Sequence, residues 1–336
     1  MANLNTLTLG DFTRLAGFIY EKEQARLPQN ARKSGLFKID LIPDHSGDTR
    51  EYNEIDTENY AANKAEGDQA SLARVQVGYS KILTLVRRGF DQTISWEMRT
   101  RNKYPEVVQR LTSLARACTD RLELDLTHRI TFGTSTSYVD KDGATVTTTI
   151  GDGLALFSTV HTLRGSSTTF RNLLANNPQL SRGSMESMEK MRVENTLNHF
   201  GEKMASTDDI LYTSDDPNTI NTARELLQST ASVSGPHEGI VNVYKAKYTH
   251  VVLPLLATDK NGAVDSTKNK YWGLASSRDC SGYLAVNQEA TMNAPQMGSN
   301  AADVSTEDWT YTSRCSYGIV IVGGRYISLS KGNGDA

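Results

Sequence analysis

Cysteine is scarce in this chain of 336 residues: three copies, Cys118, Cys280 and Cys315, stand far apart. An odd number without close spacing supports neither a disulfide framework nor a CxxC metal site, so buried thiols are expected. No apolar run approaches the ~18 residues that span a bilayer. The opening MANLNTLTLGDFTRL has neither a basic start nor a hydrophobic secretory core. These absences lead us to expect a soluble protein made in the cytoplasm, with no membrane partner. An excess of positive charge is missing as well. A formal net charge of -3 argues against a protein whose main task is gripping phosphate backbones.

The signatures of common chemistries are also absent. The chain holds no GxxxxGKS/T phosphate loop, GxGxxG fingerprint or HExxH helix. Its six histidines, at 45, 128, 161, 199, 237 and 250, have no ligand spacing, so no metal and no cofactor is expected. In DKDGATVTTT and DKNGAVDSTKN the glycine stands fourth, whereas a calcium loop needs it sixth and a glutamate twelfth; both read as turns. Ser158 and His161 in LALFSTVHTL are the best nucleophile and base on offer, and a soluble hydrolase using them is one reading. The flanking glycines of a GxSxG elbow are lacking, so we expect no catalytic residue and no enzyme.

What the chain does have is a globular composition, 38% hydrophobic and 22% charged, with length for two or three compact units. Its charge is unevenly spread. Residues 43–72 carry eight acids, among them Glu51, Glu54, Asp56 and Glu58, against Arg50 and Lys64. Residues 73–103 carry seven bases, among them Arg87, Arg88, Arg99 and Arg101, against Asp91 and Glu97. Around the acidic stretch lie strand-like alternations at Phe37, Ile39 and Leu41, at Val75, Val77 and Tyr79, and at Ile94, Trp96 and Met98. They predict a long two-stranded excursion with an acidic tip.

The strongest helix follows. From Pro105 to about Phe132, Val107, Leu111, Leu114, Ala115, Cys118, Leu122 and Leu126 recur at spacings of three and four. SYVDKDGATVTTTI then reads as a hairpin, and SMESMEKMRVENTLNHFGEKM as a second helix with Met185, Met188 and Met191 in the core. In DDPNTINTARELLQST, Asp216 is a cap and Pro217 opens a third helix. IVNVY, HVVLPLL, EDWTYTSRC and IVIVGGRYISL read as strands. Helices and antiparallel strands mix without a βαβ rhythm, which predicts an α+β fold. Ordering an arm that buries no core costs roughly 1–2 kcal/mol of backbone entropy per residue, so copies of the same chain are expected to cover it.

This order of parts resembles the major capsid proteins of tailed bacteriophages with the Hong Kong ninety-seven fold, and looks closest to Mu-type head subunits. LALFSTVHTL followed by NNPQLSRGSMESMEKMR looks like the LFS-x-x-H segment of that family, and ILYTSDDPNTINTARELLQST like its entry to the axial domain. The resemblance implies an N-terminal arm (1–36), an E-loop hairpin (37–103), a peripheral domain with a spine helix (104–208), an axial domain (209–300) and closing strands that return to the peripheral domain (301–336). It further implies a head protein forming hexamers and pentamers of an icosahedral virion shell around double-stranded DNA, without sequence-specific binding. Scaffolding and portal proteins are the other partners it implies. A nanocompartment shell of encapsulin type, holding enzyme cargo, is the alternative within the same fold. Glu51, Glu54, Asp56, Glu58, Arg87, Arg88, Arg99 and Arg101 are the candidate inter-subunit contacts, and pairing of this kind makes assembly salt-sensitive.

Overall fold

The computed structural model describes residues 7–43, 47–58, 60–231, 241–296 and 307–334. Helices α1 (Leu9–Gln24) and α2 (Asn30–Lys33) lead to strands β1 (Lys38–Leu41), β2 (Thr49–Thr57), β3 (Val75–Thr84) and β4 (Val86–Ile94). After α3 (Trp96–Thr100) comes α4 (Tyr104–Thr131), then the short strands β5 (Ser137–Val139), β6 (Thr145–Thr147), β7 (His161–Thr162) and β8 (Thr169–Phe170). Helix α5 (Arg182–Asn195), β9 (Ile210–Thr213), α6 (Pro217–Gln228), β10 (Thr249–Val252), β11 (Trp272–Ala275), β12 (Gly282–Asn293) and β13 (Trp309–Ile321) complete the order. The class is α+β, as the sequence predicts.

The long helix α4 organises the rest, because its apolar stripe is wide enough to pack on two sides. Toward its N-terminal half, Val107, Leu111, Leu114 and Ala115 meet Phe12, Ala16 and Tyr20 of α1 and Trp309 and Tyr311 of β13. Residues 9–24, placed within an N-terminal arm by the sequence reading, are therefore a packed helix: Phe12, Ala16 and Tyr20 recur every four residues and form its buried stripe. Further along, Leu122, Leu126 and Ile130 enter the main core with Leu284, Ile319 and Leu329. Asp216 caps α6 by accepting from the Thr219 amide, as expected.

A four-stranded sheet in the order β1-β12-β13-β4 lies against α4. A separate three-stranded sheet, β10-β9-β11, carries α6 and packs with the methionines of α5, all three of which are buried.

Several expectations change. Ile94 ends β4, and Trp96 and Met98 belong to the helical turn α3, so that Met98 joins the α1–α4 core. Helix α5 stops at Asn195, and residues 196–204 form a turn closed by the Leu197–Lys203 bridge. Of IVNVY, Val243 and Tyr244 open a turn at 243–247, and Ile240 lies outside the described residues. The chain returns to the central sheet at Gly282, inside the stretch assigned to the axial domain. Asp44, in the acidic stretch, and the boundary near residue 300 lie outside the described residues.

Candidate assembly surfaces

The two-stranded excursion is the β2–β3 hairpin, in antiparallel register from Thr49↔Thr84 to Thr57↔Val75, with residues 60–74 exposed at its tip. Strand geometry sends successive side chains to opposite faces, and here the faces are inverted. Glu51 pairs with Ile82, Ile55 with Val77 and Thr57 with Val75, all on the outward face, so four aliphatic side chains look into solvent. Ile55 is 63% exposed, Ile82 69%, and Leu72 at the tip 93%. The inward face of β2 instead presents Tyr52, Glu54 and Asp56.

These inward groups anchor the hairpin. Tyr52 stacks on Tyr283 of β12 at 4.3 Å and donates to Asp40 of β1 at 2.7 Å. Burial, then the bond to Asp40, pushes its phenol well above the ordinary value. Beyond it, the Arg325 guanidinium lies between Asp56 at 2.6 Å and Glu54 at 3.5 Å, while the buried His199 meets Glu54 through Nε2 at 3.1 Å. The His199 amide donates to Asp56 and Arg325 donates to the Leu197 carbonyl, so the 196–204 turn is stitched into the same cluster. Burial works against the Arg325 charge, but Glu54 and Asp56 outweigh it and hold the guanidinium above its usual value. Two glycines make the room. A Cβ at Gly323 would stand 1.8 Å from the Glu54 carboxylate, and one at Gly78 2.1 Å from His199 Nε2.

The sequence-predicted contacts thus divide. Glu54 and Asp56 are spent on this internal cluster, a consequence of the register that turns them inward. Glu58 pairs with Arg74 across the hairpin at 2.8 Å. Arg88 is bound to Asp125 and Asp142 at 2.9 and 3.2 Å. Arg99 lies over the Trp309 ring at 3.6 Å and donates to the Glu307 carbonyl; burial lowers its pKa. Glu51, Arg87 and Arg101 remain exposed and have no ion-pair partner among the described residues. Arg87 lines a groove of about 1150 Å³ that runs beside α4 past Phe90, Arg116 and Asp120. Sequence reasoning passed over Arg325 and His199; no local signal marks them, because their partners lie 269 and 145 residues away.

Ser158 and His161 do not form a nucleophile and base. His161 is fully buried, with Nδ1 on Asp152 at 2.8 Å and Nε2 on Asn172 at 3.1 Å, and its ring stacks on Phe170. The Ser158 hydroxyl donates to the Val160 carbonyl. Burial would raise the Asp152 pKa, but the bonds from His161 and from the Leu154 and Thr162 amides win and hold it below the ordinary value. The pair therefore ties the 152–172 connection together. Cys118, Cys280 and Cys315 are all buried, as expected. Among the described residues no cluster of His, Cys, Asp and Glu has the arrangement of a metal site, and no helix is long and apolar enough to cross a membrane.

Solved structures similar to this chain include the capsid of the cyanophage P-SCSP1u, at 12% identity and a TM-score of 0.47 over 88% of this chain and 85% of that one. A structure of Gordonia phage Cozz matches at 9% identity and 0.48, over 88% and 84%. A virus-like particle from Pyrococcus furiosus matches at 11% identity and 0.48, over 95% and 99%. No curated protein matches the chain. A sequence model described as phage capsid protein matches residues 78–329, about three quarters of the chain, running from β3 through α4 and both sheets to the last strand pairings. The protein belongs to the phage capsid protein family.

Proposed function

We propose that this protein is the major head subunit of a tailed phage and that its copies associate, as hexamers and pentamers, into an icosahedral shell around double-stranded DNA. One observation carries the reading beyond family membership: the hairpin turns Ile55, Val75, Val77 and Ile82 outward while it buries carboxylates inward. An apolar strand face left in water is unfavourable by roughly 25 cal/mol per Å². A second copy of the chain is the occupant that repeats at every position of a closed shell, and it buries this face without a dedicated partner.

The free charges Glu51, Arg87 and Arg101 then set register and encounter rate, and the apolar face supplies affinity. With so many of the acids and bases paired internally, assembly depends on salt only modestly. Scaffolding and portal proteins complete the assembly, and the virion shell is the site of action.

Sedimentation with electron microscopy of the same fractions tests the proposal. Rings or closed shells in the wild type, lost in Ile55→Asp with the subunit still folded, are the expected result. Monomers under every condition, with or without a scaffold, overturn it. Nuclease-protected DNA in shells recovered from infected cells separates a phage head from a nanocompartment.

A further inference from the structure

A second cavity, of about 650 Å³, opens between the end of β3, the start of β4, the C-terminal half of α4 and the β5–β6 hairpin. Its wall carries a charge imbalance. Lys81 donates to the carbonyl and hydroxyl of Thr149, and Arg129 to the carbonyl of Thr147. Neither cation has a carboxylate within ion-pair distance among the described residues. The carboxylates nearby are committed. Asp125, Asp140 and Asp142 are engaged by Arg88 and Arg121 at 2.9–3.2 Å, and Asp152, whose charge reaches Lys81, is held by His161 at 2.8 Å. Lys81, Arg129 and the exposed Arg87 are left over, all three on this wall.

Partly buried like charges without a counter-charge are costly, since desolvation penalises each and they repel one another. Burial first, then the Arg129 charge, hold the Lys81 ammonium below its ordinary pKa. Burial likewise lowers Arg129. Two neutral carbonyls satisfy hydrogen-bond donors and leave both charges in place. What is missing is a compact anion with several acceptor oxygens, which a guanidinium fork and an ammonium can grip together.

We propose that this cavity binds a phosphate group, held between Lys81 and Arg129 with Arg87 at the rim. Such an anion joins three pieces of the fold, the hairpin strand β3, helix α4 and the start of β4, and so stiffens the seat of the hairpin. The two cations that grip the anion, Lys81 and Arg129, take no part in the assembly proposal; only Arg87 at the rim is shared with it.

Thermal unfolding of the full chain, with phosphate replacing chloride at constant ionic strength, tests it. Binding to the folded state alone raises the midpoint with phosphate concentration. Lys81→Met and Arg129→Met are each expected to weaken the apparent affinity at least tenfold. Fluorescence anisotropy with a short DNA duplex separates the sources: duplex binding competed by phosphate assigns the site to a backbone phosphate, and phosphate binding without duplex binding assigns it to the free ion. A wild-type midpoint equal in phosphate and chloride overturns the proposal, whether or not the variants fold. So does an unchanged phosphate response in both variants.

Discussion

The two faces of the β2–β3 hairpin follow opposite plans. On the inner face, carboxylates point onto Arg325 and His199, and glycines 78 and 323 leave just enough space for them. On the outer face and at the tip, aliphatic side chains look into solvent, and beside the tip an exposed Arg74 pairs with a half-buried Glu58. The inner face is held by partners within the chain itself, whereas the outer face has no covering within the described residues. A strand that read as a conventional amphipathic element would have done the reverse, and would have sealed the hairpin against its own body.

The strongest way to break this contrast is Arg325→Met. It strands Glu54 and Asp56 beside each other with His199 as their remaining counterpart, and is expected to destabilise the subunit by about 3 kcal/mol or more, the usual result of removing one partner of a buried pair. Chemical denaturation measures the loss, and hydrogen exchange should show it concentrated in residues 49–84.

Acid sharpens a contrast between two of the three buried histidines, His199 and His128. His199 sits among carboxylates, but His128 of α4 has its pKa lowered to about 4 by burial and by Lys268 and Arg121, only partly offset by Asp259 and Asp140. A base whose folded pKa is depressed binds its proton more readily when unfolded, so stability should fall as pH drops from ~6.5 toward 4. Unfolding midpoints across that window, with His128→Gln flattening the slope, check the sign.

Gly323→Ala is expected to cost about 1–3 kcal/mol, because its Cβ collides with the Glu54 carboxylate and the cluster must shift. Leu72→Ser at the tip sits at the other extreme: a change within about 0.5 kcal/mol in the isolated subunit, with reduced yield of assembled particles in sedimentation. A Leu72→Ser subunit as unstable as the Arg325 variant would erase the distinction between the inner cluster and the exposed surface.

The same division governed what could be read in advance. Helix α4 was legible because its stripe of Val107, Leu111, Leu114 and Cys118 has a single period over a long run. The Asp216 cap and the Met185, Met188, Met191 face were legible for the same local reason. Strand β12 was not. Leu284, Ala285 and Val286 are consecutive and all buried, and polar residues follow, so neither half has a clear period of two. The inward turn of Glu54 and Asp56 was illegible too, since carboxylates in an acidic segment are ordinarily solvated and their cation lies near the other end of the chain. The charges with local neighbours were visible as charges, but whether they face a partner or their own fold depends on register.

Strand β3 ends at Thr84 and β4 begins at Val86, so only Leu85 separates the projecting hairpin from the central sheet. The Leu85 amide itself donates to the Asp48 carbonyl, and β4 is laced to β13 along nine residue pairs from Val86↔Tyr317 to Ile94↔Trp309. Tension applied to the tip, as when a pressurised container pulls neighbouring walls apart, therefore travels straight down a continuous ribbon and loads that ladder lengthwise. A ladder sheared along its strands resists through many rungs at once, whereas one peeled from its end gives way rung by rung. In the proposed shell, the strand pair that would meet a neighbour is thus a direct extension of the plate that must not tear.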